Sequence, residues 1–113
     1  FKLLKDKITI HGAAHITGGG LTENLPRVIP DKCTIHIDEK ILKFPKIFKL
    51  IQDKAFLSKQ EMLKTFNCGI GMVLIIGKKD IDKCNQIFSK TAYKPKIIGY
   101  VDYNKDKQGI VYD

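Results

Sequence analysis

Arginine is nearly missing from this sequence: of its 20 basic residues, 19 are lysine and Arg27 stands alone. A planar, bidentate donor kept where lysine serves everywhere else points to a position at which the fork geometry matters. Cysteine is scarce too. Cys33, Cys68 and Cys84 make an odd count without a C-x-x-C pair, which supports neither a disulfide framework nor a zinc site, and each reads as a small apolar residue. His11, His15 and His36 lack metal spacing, because a separation of four suits a helix face and not the strand expected at 11–15. No metal site is expected. No apolar run approaches the roughly 20 residues of a membrane span, and no signal-peptide pattern opens the chain; the expectation is a soluble, cytoplasmic protein without a membrane partner. No Ser/His/Asp grouping, close carboxylate pair or reactive-cysteine context is legible, so catalytic residues stay unknown. Both G-x-G-x-x-G and G-x-x-x-x-G-K-[ST] are absent.

What remains is a chain of 113 residues, enough for one domain with a real core but short for an enzyme that must enclose two substrates. The net charge of +8 raises the question of nucleic acid. The lysines are spread along the whole chain rather than gathered into a stripe, which favours a solvated surface and argues against a nucleic-acid partner.

Residues 1–7, rich in lysine and leucine, read as the end of a preceding helix or a linker, and 8–113 as the domain. Ile8–Ile16 reads as a strand, β-branched and then small at Gly12, Ala13 and Ala14. Thr22 is placed to cap a short helix through Val28, with Pro30 as its stop. Cys33–Asp38 alternates Thr34, His36 and Asp38 against Cys33, Ile35 and Ile37, the pattern of a half-buried strand with His36 on the polar face. Pro45 opens a helix to Ala55 with Ile47, Leu50 and Ile51 at helical spacing. Ser58 and Glu61 form a capping box. Met72–Ile76, apolar throughout, is expected at the sheet centre. Asp80 caps a helix to Lys90, and Lys96–Tyr103 and Ile110–Tyr112 are expected to pair as a hairpin across a polar turn at 104–109. This alternation predicts helices packed on a mixed sheet, an α/β (α+β) domain.

The stretch around which the rest is organised is His15-Ile-Thr-Gly-Gly-Gly-Leu-Thr-Glu-Asn-Leu-Pro-Arg-Val-Ile-Pro30. Three successive glycines strip the backbone of side-chain cover at a conformational cost. They follow a strand and precede a helix start, where backbone N–H groups and the helix dipole favour an anion. A flexible strand-to-helix turn is the bland reading. The company favours a phosphate or ribose site: Gly18, Gly19 and Gly20 supply backbone, and Thr22, Asn24 and Arg27 supply a hydroxyl, an amide and a fork. Glu23 reads either as a first-turn acid or as a contact to a metal or amine. Asn67, Gly69 and Gly71 form a second backbone-exposed edge before the apolar strand. His15, Glu23, Asn67 and Gly69 are candidate lining residues.

The string from His15 to Pro30, together with Thr65-Phe-Asn-Cys-Gly-Ile-Gly-Met72, closely resembles the carboxy-terminal domain of the phosphoribosylformylglycinamidine cyclo-ligase (aminoimidazole ribonucleotide synthetase) family. The resemblance extends over the Phe44-Pro45 helix, Glu61-Met62 and Ile98-Gly99. It implies a three-layer domain, partly ferredoxin-like, with a mixed sheet. It also implies a reaction that the residues alone do not give: ATP and magnesium activate the formyl oxygen of formylglycinamidine ribonucleotide, an internal nitrogen closes the imidazole ring, and phosphate leaves. The family resemblance further implies homodimers of two-domain subunits, with ATP and magnesium held mainly by an amino-terminal domain that this chain does not contain. Gly18, Gly19, Gly20, Thr22, Asn24 and Arg27 would then line a cleft facing that domain and hold the substrate's 5′-phosphate or ribose, and the isolated chain would be inactive. The rivals are another ATP-dependent enzyme of the same superfamily, selenophosphate synthetase-like, and a non-catalytic phosphate-binding module.

Overall fold

In the computed structural model, which describes residues 1–104, 106 and 109–113, the chain runs through five strands and four helices: β1 (Ile10–His15), α1 (Gly20–Asn24), β2 (Cys33–Ile37), α2 (Lys46–Ala55), α3 (Lys59–Thr65), β3 (Met72–Ile76), α4 (Ile81–Ser89), β4 (Gly99–Tyr103) and β5 (Gly109–Tyr112). Short 3₁₀ turns at Leu25–Val28 and Lys78–Asp80 extend α1 and lead into α4. The fold is α/β with helices and a mixed sheet, as expected. The strands divide into two sheets. β1 pairs antiparallel with β3, while β2 lies between β4 and β5, antiparallel to the first and parallel to the second.

Two strand placements differ from the sequence reading. β4 and β5 do not form a hairpin: β2 is inserted between them, with Ile35 opposite Val101 on one side and Ile110 on the other. A short connection fixes the relative direction of two strands but not their adjacency, and β2 offers two free edges and an apolar face to which both can add. Part of the turn expected at 104–109 lies outside the described residues. Nor does β3 sit at a sheet centre. It pairs with β1 alone among the described residues, and its first residue, Met72, is 49% exposed. A continuous apolar run reports shielding of both strand faces, which helices and loops can supply as well as neighbouring strands.

The capping chemistry follows the sequence at α3 and departs from it at α1. Ser58 Oγ accepts from the Glu61 N–H at 3.1 Å and Glu61 Oε2 accepts from the Ser58 N–H at 2.7 Å, the reciprocal capping box. These bonds hold the Glu61 carboxyl below the usual carboxylate range. The first helix starts before Thr22: Gly19 is its N-cap, in the left-handed region at φ 92°, ψ −8°, and Thr22 lies inside the helix. At α4, Asp80 occupies the N-cap position without a side-chain cap bond.

The core is built by Ala14 and Ile16 from the β1 end, Leu21 and Leu25 from α1 and its extension, Ile35 and Ile37 from β2, and Met62 and Leu63 from α3. Leu21, Met62 and Leu63 are fully buried, a burial that removes about 1.5–3 kcal/mol of apolar exposure per side chain. The alternation of β2 holds for Ile35, Ile37 and the partly exposed His36, but Thr34, expected on the polar face, is also buried. Leu4 is buried as well, within the turns formed by residues 1–8. This core presses α1 onto α3 and so fixes the segments just before α1 and just after α3.

Candidate functional site

The glycine stretch and the Asn67–Gly71 segment, far apart in sequence, are neighbours because β1 ends where β3 begins. His15 stands opposite Met72, and the next residue, Ile16, donates its N–H to Gly71 O at 2.9 Å. Beyond that bond the chain turns sharply. The Gly20 N–H reaches Thr17 O at 3.0 Å, and Gly19 has the dihedrals of the third residue of a type II turn, which favours glycine. Gly20 has a different reason to be bare. It sits at φ 56°, and a Cβ there would lie 2.6 Å from Phe66 O and closer still to Leu63 O. No side chain fits between the start of α1 and the end of α3. Gly18 has neither constraint: it is absent from the positive-φ residues, and a Cβ built on it meets nothing within 4 Å.

Two of the residues singled out in the sequence spend their polar atoms inside the protein. Asn24 is nearly buried and donates to Gly18 O at 3.2 Å and Gly20 O at 2.8 Å, so its amide fastens the turn to the helix. The Thr22 hydroxyl lies 3.3 Å from Leu63 O and 2.8 Å from the Tyr112 hydroxyl, joining α1 to α3 and to β5. Burial raises the Tyr112 phenol above its ordinary value, against the opposing effect of the Thr22 bond. His15, Glu23 and Arg27 are exposed, and Arg27 forms no ion pair among the described residues. Its guanidinium is therefore free to meet a ligand. The helical N–H groups are less so, since α1 is five residues long and the Gly20 N–H is already used.

On the opposite side, the Asn67 Oδ1 accepts from the Gly69 N–H at 2.9 Å and the Asn67 carbonyl accepts from the Ile70 N–H at 2.9 Å. Cys68, between them, is buried in the left-handed region at φ 50°, and burial pushes its thiol up to about 11. Gly69 is positive in φ and packed on Pro45. The two segments enclose an open cleft of about 380 Å³ lined by Thr17, Gly18, Phe48, Thr65, Phe66 and Asn67. Of the residues singled out from the sequence, Gly18 and Asn67 meet here.

Sequence reasoning missed Thr17, Phe48, Thr65 and Phe66 as lining residues. Thr17, Thr65 and Phe66 lie within the two diagnostic strings, so attention to every residue of those strings would have found them. Phe48 showed only helical spacing, which is the signal of a core residue, and it does pack on the core while edging the cleft. Its ring lies 6.1 Å from that of Phe66, at 55°. Among the described residues no group of three His, Cys, Asp or Glu side chains is placed to hold a metal ion, and no helix is long and apolar enough to cross a membrane.

Fold and cleft define an α/β domain whose candidate ligand-binding edge is a bare strand-to-helix turn facing a second turn. Over residues 2–112 the sequence matches the family described as AIR synthase related protein, C-terminal domain, and the chain belongs to that family. It is 53% identical over 81 residues to the phosphoribosylformylglycinamidine cyclo-ligase of Geotalea daltonii, covering 72% of this chain and 23% of that protein. It is 41% identical over 104 residues to the enzyme of the same name from Neisseria meningitidis serogroup C, covering 92% of this chain and 29% of the relative. The Neisseria gonorrhoeae enzyme is 46% identical over 92 residues, 79% of this chain and 27% of its own length. The chain thus spans less than a third of each of these relatives.

Proposed function

We propose that this chain is the carboxy-terminal, substrate-holding part of a phosphoribosylformylglycinamidine cyclo-ligase, which converts formylglycinamidine ribonucleotide to aminoimidazole ribonucleotide with ATP in purine biosynthesis. The observation that carries the reading is the meeting of the 15–30 and 65–72 strings at one cleft, in a sequence 41–53% identical to enzymes of that name. In this reading Arg27 and the exposed backbone of Gly18 and Gly19 hold the 5′-phosphate or ribose, with the guanidinium fork offering paired donors to phosphate oxygens. Thr22, Asn24 and Gly20 hold that backbone in place. His15 and Glu23 stand exposed at the rim.

Among the described residues no three His, Cys, Asp or Glu side chains gather to hold a metal ion. In this proposal ATP and magnesium are held mainly by an amino-terminal domain, and the working enzyme is a cytoplasmic homodimer of two-domain subunits. The chain's own contribution is to bind and orient the phosphoribosyl substrate.

The test is titration of the purified chain with ribose 5-phosphate, followed by amide chemical shifts. Arg27→Ala and Gly19→Val should each weaken binding about tenfold or more, the loss expected for one charge-assisted contact, with Arg27→Lys recovering part of it. Binding undiminished in both would sink the reading. Ring closure by the isolated chain with ATP would refute its assignment as a substrate-holding part alone.

A further inference from the structure

The cleft contains an end that the phosphate reading does not use. Its lining carries no charged side chain: two hydroxyls, one amide, one bare glycine and two phenylalanine rings. A phosphate would gain little there. The half-buried rings of Phe48 and Phe66 instead offer an apolar surface for a flat group. Asn67 is oriented by its own turn. Its Oδ1 accepts from the Gly69 N–H, which sets the side chain, whereas its NH₂ group, which only donates, makes no hydrogen bond among the described residues. The matching ligand group is a carbonyl-type acceptor. The Thr17 and Thr65 side chains lie exposed on the same lining and can donate or accept. Gly18 completes the pattern. The two glycines that follow it are required for the turn and for helix packing, whereas a Cβ at Gly18 would stand in open space. The fold does not require Gly18 to be bare, and a ligand lying against the backbone would.

We infer that the cleft between Gly18 and the Phe48–Phe66 pair is a subsite for an uncharged, planar amide, with the rings beneath it, the Asn67 NH₂ donating to its carbonyl oxygen and the Gly18 backbone against its edge. This rests on the proposal that the chain binds a phosphoribosyl substrate, and it assigns the substrate's formamide-bearing end to this cleft and the phosphate to the Arg27 side.

The test compares two probes on the full 113-residue chain: ribose 5-phosphate, and a ribose 5-phosphate bearing an N-formylglycinamide tail. The tailed probe should bind at least about tenfold more tightly, the gain expected from one or two hydrogen bonds and ring contact, and should shift the Thr17, Phe48, Thr65, Phe66 and Asn67 signals. Thr65→Val and Asn67→Ala should reduce that gain while leaving ribose 5-phosphate binding unchanged. Thr65 is exposed, so its variant keeps the comparison valid if Asn67→Ala loosens its turn. Equal affinity for the two probes, or a gain that both variants preserve, overturns the subsite and leaves the phosphate reading standing. Failure of ribose 5-phosphate to bind, with the tailed probe still shifting the cleft residues, overturns the phosphate reading and leaves the subsite. Failure of both probes overturns both.

Discussion

The outer face of the β4-β2-β5 sheet and the β1–β3 end of the molecule both carry histidine and exposed polar residues, but they use them in opposite ways. On the sheet, His36 Nε2 lies 3.4 Å from Asp102, its Nδ1 lies 3.1 Å from Asp113, and its ring stacks on Tyr100 with centroids 4.7 Å apart. Two residues of β4 and the residue that follows β5 converge on the imidazole, so the cluster ties β2 to β4 and to the end of β5. At the β1–β3 end His15 is exposed, and Arg27, in the turn that extends α1, is exposed too; neither forms an ion pair among the described residues. A polar side chain whose partners lie within the protein is part of the fold, whereas an outward-facing one on a rigid support is available to a ligand. By that criterion Thr22 and Asn24, which resemble ligand contacts in the sequence, are supports, and Arg27 is left exposed without an ion pair among the described residues.

The largest effect should come from breaking the support. Gly20→Ala forces a Cβ into the Leu63 and Phe66 carbonyls at a positive φ, which neither rotamer change nor side-chain motion relieves. A loss of about 3 kcal/mol or more is expected, from strain and overpacking together, enough to unfold a marginal domain; denaturant unfolding measures it. Thr22→Val should follow. It removes the partner of the partly buried Tyr112 hydroxyl and should cost about 1–3 kcal/mol. Because the Thr22 bond lowers the Tyr112 phenol against the burial that raises it, the variant's tyrosinate should form at still higher pH, which a spectrophotometric titration reads.

Ser58→Ala should cost about 1 kcal/mol, the usual value of an N-cap. The capping box also gives α3 a pH dependence. Glu61 is held below its ordinary value, so its contribution is present above the unfolded carboxylate range and is lost as pH falls through the folded value. Acid unfolding of a Glu61→Gln chain, which lacks the titrating carboxyl, should therefore depend less steeply on pH in that window than that of the parent. Equal slopes would show that Glu61 does not contribute to acid stability.

How much of this was visible in the sequence follows from the range of each interaction. Local chemistry was readable in part: the Ser58–Glu61 box and the α4 stripe depend on residues within one or two turns of each other, whereas Thr34 departs from the β2 alternation, and of the apolar α2 residues expected to face the core Ile51 packs on it while Ile47 and Leu50 are exposed. The pairing of β2 with both β4 and β5 was not, because it is decided by contacts between segments more than 60 residues apart in sequence. The glycine stretch was recognised as a site from its composition and its resemblance to a family. Its internal division was not legible, because the three glycines are identical in sequence and differ only in what surrounds them. Phe48 was hidden for a related reason: one ring serves both the core and the cleft, and its helical spacing announces only the first.

The sharpest form of the comparison is therefore between adjacent residues of one kind, and its most informative member is the one with the smallest effect on stability. Gly18→Ala should change unfolding free energy by less than about 0.5 kcal/mol, the range of an unconstrained surface substitution, or stabilise slightly by restricting the unfolded chain. Gly20→Ala, two residues on, should be severely destabilising. If Gly18→Ala instead destabilises as Gly20→Ala does, the turn needs all three glycines for its own conformation, and the contrast between a supported backbone and a bare one disappears. If the two variants separate as expected, the bareness of Gly18 has no structural cause, and the cleft it edges is where that cause must be sought.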